Sequence, residues 1–146
     1  MPRVVNTTLA IPHGRQKLIP DQLFALNYGG TFRSFVLEVD RGTEPYASQN
    51  ARKSLRAMIE AYADLTAKDA IRGHYRLKSP LLILMVFINP SRAAKCMELV
   101  SQIAPALAPV MLVQAVVSRF PKHWNMREAA LKRWDRAGTA RLSLFD

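Results

Sequence analysis

Residues 81–88 read LLILMVFI, an unbroken apolar run closed by Pro80 on one side and by Asn89-Pro90 on the other. A short apolar run bounded by turn residues is a strand buried on both faces, and such a strand requires a sheet with cover on each side. It falls far short of the roughly 20 residues that cross a bilayer as a helix. The flanking sequence supplies the cover. From Ser48 to about Ala67, apolar side chains at Ala51, Leu55, Met58, Ile59, Tyr62 and Leu65 recur at helical spacing, with Arg52, Lys53, Arg56 and Glu60 on the other face. Ser91 is placed to cap a second helix over Arg92 to Ile103, and Pro105 and Pro109 end it.

The remaining segments complete a mixed sheet. Val4 to Ile11 reads as a strand ended by Pro12 and Gly14. Leu18 to Leu26 and Phe32 to Val39 are joined by Asn27, Tyr28, Gly29 and Gly30, residues that suit a tight turn because Gly and Asn tolerate φ > 0. The stretch from Leu18 to Asp40 is therefore expected to be a β-hairpin. Gly73 and Pro80 bound a polar connector, and Val110 to Val117 reads as another strand. From Pro121 a basic helix over Met126 to about Arg136 and a tail are expected. The order β, β, β, α, β, α, β, α belongs to the α/β class, a mixed β-sheet with flanking helices in a single domain over residues 1–146.

Charge narrows the function classes. Lys and Arg number 21 against 11 Asp and Glu, a net charge of +10. A domain this basic suits a polyanion, and nucleic acid ranks ahead of an anionic membrane; plain surface solubilisation is the competing explanation. With 49% hydrophobic residues the chain is globular rather than disordered. Cys96 is the single cysteine, which excludes an intramolecular disulfide and a CxxC-type zinc site, and it lies on a helix face where an inert buried thiol is expected. His13, His74 and His123 show no HxxxH or HxH spacing, and no GxSxG, P-loop or GxGxxG motif occurs. The opening residues MPRVVNTTLAIPHGR lack a long apolar core, so no secretory signal and a soluble, cytoplasmic location are expected.

Acidic residues gather at the hairpin. Asp21 follows Pro20, while Glu38 and Asp40 stand two residues apart on the later strand and so project from one face. A hairpin can bring Asp21 beside Glu38. Converging carboxylates repel unless a cation lies between them, and a hard divalent cation such as Mg²⁺ takes oxygen ligands and often needs only one or two carboxylates. Spacing alone equally allows a local reading: Asp40 starting a turn with Gly42, Glu38 paired with Arg41 or Arg33, and Asp21 simply in a turn.

The stretches IPDQLFAL, FVLEVDRGTEP and KSLRAMIEAY resemble the plasmid replication-relaxation family, which includes mobilisation relaxases and whose core is similar to the PD-(D/E)XK restriction-endonuclease-like nucleases. The resemblance runs from about Leu18 to Val117, and EVDRGTEP is its most specific part. It implies Asp21 and Glu38 as metal-binding carboxylates for Mg or Mn, Asp40 as part of the same signature, and cleavage of a DNA phosphodiester as the chemistry. The chain departs from the pattern at the catalytic lysine. Two residues after the strand glutamate stands Asp40, and four residues before Tyr62 stands Met58. The nearest cations are Lys53 and Arg56. Lys53 joins Asp21, Glu38 and Asp40 in the candidate catalytic set, although the helical wheel sets it almost opposite the apolar stripe. Family members commonly carry a winged-helix region before this core, so a separate DNA-recognition domain or replication and mobilisation proteins are expected as partners, with the chain either a minimal member or the core alone.

Two basic stretches are candidate DNA contacts. Arg52 and Arg56 edge the helix that follows the acidic strand; they position a phosphate near the metal or form an ordinary solvated face. Lys122, Arg127, Lys132 and Arg133 are interleaved with Trp124 and Trp134, as in proteins that hold phosphates and stack on bases. Docking of the C-terminal helix on the core is the other role open to Trp134. Two function classes follow: a metal-dependent DNA nickase or nuclease, and a catalytically impaired DNA-binding or assembly module on the same fold.

Overall fold

In the computed structural model, which describes residues 3–5, 11–42, 54–115 and 133–144, the apolar run is the centre of the molecule. The strands are β1 (Arg3–Val5), β2 (Ile11–His13), β3 (Gln16–Leu18), β4 (Gln22–Tyr28), β5 (Thr31–Asp40), β6 (Leu81–Phe87), β7 (Met111–Ala115), β8 (Arg133–Arg136) and β9 (Thr139–Ser143). The helices are α1 (Leu55–Ala67), α2 (Ala70–Tyr75) and α3 (Pro90–Ile103), with a 3₁₀ turn at Pro105–Leu107. Five strands form a continuous mixed sheet in the order β1-β4-β5-β6-β7. A β8–β9 hairpin extends it through the pairing of Asp135 with Val113 on β7.

The hairpin is set by its turn. Gly29 and Gly30 both have positive φ, 67° and 102°, and the Gly30 N–H donates to Asn27 Oδ1 at 2.7 Å. Residues with side chains resist that backbone, so the glycines lock the antiparallel register Tyr28↔Thr31 through Gln22↔Leu37. From β5 the chain runs parallel to β6 and then β7, with α1–α2 and α3 as the crossovers.

Both crossover helices cover one face. Leu55, Ile59 and Leu65 of α1 and Cys96, Leu99 and Val100 of α3 share a core with Val36, Ile83, Met85 and Val113. The opposite face gathers Phe24, Phe35, Leu37, Leu84, Val86, Leu112, Trp134 and Leu144, with Phe24 stacked on Phe35 at 5.1 Å. Strand β6 contributes alternately to both, which bears out burial on two faces. Among the described residues, no helix is long and apolar enough to cross a membrane.

Several boundaries differ from expectation. Leu18 is not in the hairpin; it pairs with Ile11 in a separate two-stranded ribbon, β2–β3. The helix expected from Ser48 starts at Leu55, because Ser54 is extended and its side chain accepts the Ala57 N–H at 3.0 Å, capping the first turn. The connector between Gly73 and Pro80 includes the end of α2, a helix the sequence pattern did not signal because it is only one and a half turns long. Asn89, not Ser91, caps α3: its Oδ1 accepts the Ser91 N–H at 2.9 Å, and Pro90 takes the first helical position, where no N–H is needed. The C-terminal helix expected over Met126 to Arg136 is a strand at its end, since residues 133–136 form β8. A helical period drawn through Leu131 and Trp134 cannot tell one face of a helix from a strand pairing whose partner is distant in sequence. The remainder of that expected helix, and strand residues Val116 and Val117, lie outside the described residues.

Candidate functional site

The hairpin register carried one step past Gln22↔Leu37 sets Asp21 opposite Glu38, at the carboxyl end of β5. Glu38, in step with Val36 on β5, faces the helix-covered side of the sheet. Asp21 is exposed, and its Oδ2 accepts the Val39 N–H at 2.7 Å, which ties this carboxylate to the backbone next to Glu38. Glu38 is half-buried. Its Oε1 accepts the Tyr62 hydroxyl at 2.5 Å.

Tyr62 lies on the buried stripe of α1 and is fully enclosed. Burial raises its phenol well above the ordinary value, and the charges of Glu38 and then Asp21 push it further the same way. Tyr62 is therefore a proton-holding donor rather than a phenolate.

Asp40 does something else. Its side chain is on the same face of β5, yet it is buried and clamped by Arg92 of α3: Arg92 Nε donates to Oδ1 at 2.9 Å and Nη2 donates to Oδ2 at 2.6 Å. Oδ1 also accepts the Gly42 N–H at 2.6 Å. Gly42 sits at φ 77°, so Asp40 holds the turn that leaves the strand, the local role the sequence had left open. A planar fork matched to a carboxylate is the geometry arginine supplies and lysine does not. With Asp40 so engaged, no group of three His, Cys, Asp or Glu side chains comes together among the described residues. The acidic constellation reduces to the pair Asp21 and Glu38.

The pair fits a hard divalent cation in chemistry. Both donors are carboxylate oxygens, both are oriented by hydrogen bonds from elsewhere, and a Mg²⁺-type ion fills its other positions with water and phosphate oxygens.

The other expected site residues divide. Arg56 is on the exposed face of α1, where its Nε pairs with Glu60 Oε1 at 3.0 Å. Arg133 is exposed on β8. Arg52, Lys53, Lys122, Trp124, Arg127 and Lys132 lie outside the described residues. Trp134 is fully buried in the second core, so it docks the chain and does not offer a face to a base. Cys96 is buried, and burial together with the Asp40 charge pushes its thiol up to about 12, which fits the inert thiol expected.

Sequence reasoning missed two partners. Tyr62 was read as packing, although a buried phenol needs an acceptor, and that need was the available signal. Arg92 carries no signal of its own, because its partner is 52 residues away on another element. No family model, curated protein or solved structure matches the chain.

Proposed function

We propose that this chain is a DNA-processing protein of plasmid or mobile-element type, a metal-dependent nickase or nuclease resembling the replication-relaxation family, in which Asp21 and Glu38 hold Mg²⁺ or Mn²⁺. The observation that carries the reading is the opposition of Asp21 and Glu38 across the open end of the hairpin, each carboxylate oriented by a donor, Val39 N–H and Tyr62 O–H. The order hairpin, crossover helix, parallel strand supports a PD-(D/E)XK-like core for the same proposal. The net charge of +10 supports a polyanionic substrate.

When bound, the cation would lower the pKa of a water and stabilise charge on the scissile phosphate. The chain's own part is orientation. Val39 N–H fixes Asp21, and Tyr62 fixes Glu38 while keeping its own proton. The clamp of Arg92 on Asp40 holds the end of β5 so that Glu38 keeps its place in the strand.

A binding module without cleavage is the second reading, and a specific observation favours it. The position two residues after Glu38 is filled by an aspartate already bound to Arg92, and Met58, half-buried, stands where the resemblance implies a lysine.

Melting curves with and without Mn²⁺ for wild type, Asp21→Asn and Glu38→Gln test the cation site. At a hundredfold excess over Kd, a ligand bound only to the folded state adds about 2.7 kcal/mol. That is a rise of roughly 5–10 °C for a domain of this size. The rise should vanish in both variants. Equal responses in all three proteins would remove the site. Nicking of supercoiled plasmid by wild type then separates the enzyme from the binding module.

A further inference from the structure

The corner between α1 and β6 carries Lys68, Arg72, Arg76 and Lys78 against Asp69 alone, with His74 among them. Lys68 is neutralised by Asp64 at 2.9 Å, and Arg72 reaches Asp69 only at 3.4 Å. Arg76 and Lys78 are exposed and form no ion pair among the described residues. The backbone gathers these charges. Asp69 and Arg76, at φ 51° and 53°, bracket α2 in the left-handed region, and the second reversal returns the chain so that Leu77 N–H bonds to Arg72 O at 2.8 Å. Arg72 Nη2 thereby meets the Lys78 carbonyl at 3.4 Å.

Arg72 is under-bonded. Among the described residues its two terminal nitrogens make only those long contacts, and its buried Nε meets no acceptor. It lines a cavity of about 200 Å³ together with Asp69, Leu65, Ile71 and Ile83. Terminal guanidinium donors held only at 3.4 Å, on the same chain reversal as the exposed Arg76 and Lys78, suit a phosphate, which accepts in bidentate fashion and brings the countercharge.

We propose that this corner is a second phosphate-binding surface that holds the backbone of DNA away from the carboxylate pair. The class of partner rests on the DNA-processing reading; the surface itself does not depend on the cation site. Placement supports it. Pro80 O accepts the Ser34 N–H at 2.9 Å, so the corner abuts β5 at Ser34, four residues before Glu38. At roughly 3.3 Å per residue Ser34 and Glu38 are about 13 Å apart along the strand, which keeps the corner clear of the carboxylate pair. Asp21 and Glu38 repel phosphates in the absence of metal, so the affinity needed to hold DNA has to come from elsewhere on the surface.

The test is the double variant Arg76→Asn/Lys78→Gln, in which Asn tolerates the left-handed backbone. Fluorescence anisotropy with a labelled duplex across a salt series should show weaker binding, with the slope of log K against log salt smaller by about 1.8, at about 0.9 per phosphate contact. Its melting temperature and Mn²⁺ response should match wild type, whereas Asp21→Asn should alter the Mn²⁺ response and keep the slope. Failure of the cation site and failure of this surface are thus separate results. Unchanged affinity and slope in the double variant would overturn the proposal, as would no duplex binding by wild type at low salt. A free-phosphate arm covers the other source of the same chemistry. If inorganic phosphate raises the melting temperature of wild type but not of the double variant, while duplex affinity is equal in both, the corner is a small-anion site and the DNA proposal fails.

Discussion

The Tyr62 hydroxyl, on the buried stripe of α1, donates to Glu38 Oε1 at 2.5 Å and so couples the first crossover helix to the acidic end of β5. Tyr62→Phe keeps the ring and deletes the donor. A hydrogen bond to a charged group is worth about 1.5–3 kcal/mol, and a loss of that order in urea unfolding is expected. Deleting a hydrogen-bond partner of a metal-ligating side chain typically weakens metal affinity by about 10–100-fold. Mn²⁺ titrations followed by melting temperature should therefore give a weaker apparent Kd in Tyr62→Phe. A wild-type Kd in a folded Tyr62→Phe protein would show that the bond is structural only.

Alkaline pH offers an independent check on the same tyrosine. Its folded pKa is raised, first by burial and then by Glu38 and Asp21, so above pH 10 the unfolded chain releases the proton while the folded one retains it. The unfolded state then binds fewer protons, and stability falls as pH rises through the raised value. The contribution is fully present below the ordinary phenol pKa. Chemical denaturation between pH 9 and pH 11, of the order of the usual tyrosine range near 10, should show a downward slope in wild type that is shallower in Tyr62→Phe. Identical slopes would contradict the assigned direction.

The Asp40–Arg92 clamp makes a different prediction. Both side chains are buried, so removing one breaks the ion pair and leaves the other charge in a buried place. Arg92→Met or Asp40→Leu should each cost about 3–5 kcal/mol. Asp40→Leu/Arg92→Met removes both charges and should cost less than either single change, because the exposed Gly42 N–H can turn to water. Urea unfolding of the four proteins closes the cycle. Additive losses would mean that the two residues act separately.

How much of this was legible follows from the range of each interaction. The two-faced burial of residues 81–88 and the glycine turn at residues 29–30 are written locally, and so is one part of the site, the hairpin register that brings Asp21 to Glu38. The Asp40–Arg92 pair was not legible, because a strand end and a helix start separated by 52 residues meet only once β5 and β6 are parallel neighbours. Asp40 consequently read equally as part of the acidic signature and as the start of a turn with Gly42. Of the corner at residues 68–78 the sequence showed only a polar connector between Gly73 and Pro80, since its left-handed residues are Asp and Arg rather than Gly. The β8 strand was read as a helix end because its apolar members, seen without their cross-strand partners, also satisfy a helical wheel.

Trp134 supplies the last test, because its two sequence readings predict opposite behaviour. It is fully buried against the face that contains Phe24, Phe35 and Leu112, so its loss should act on stability. Trp134→Ala should cost about 3–5 kcal/mol, the usual range for a large aromatic deleted from a core. Trp134→Phe should retain part of that contribution by filling some of the volume. If the variant remains folded at low temperature, its affinity for a single-stranded oligonucleotide should stay close to that of wild type. A base-stacking tryptophan would give the reverse pattern: little change in unfolding and a loss of about 1–3 kcal/mol in binding. Denaturation curves and anisotropy on the same two variants decide between them, and a stable Trp134→Ala protein with weakened single-strand binding would overturn the buried placement.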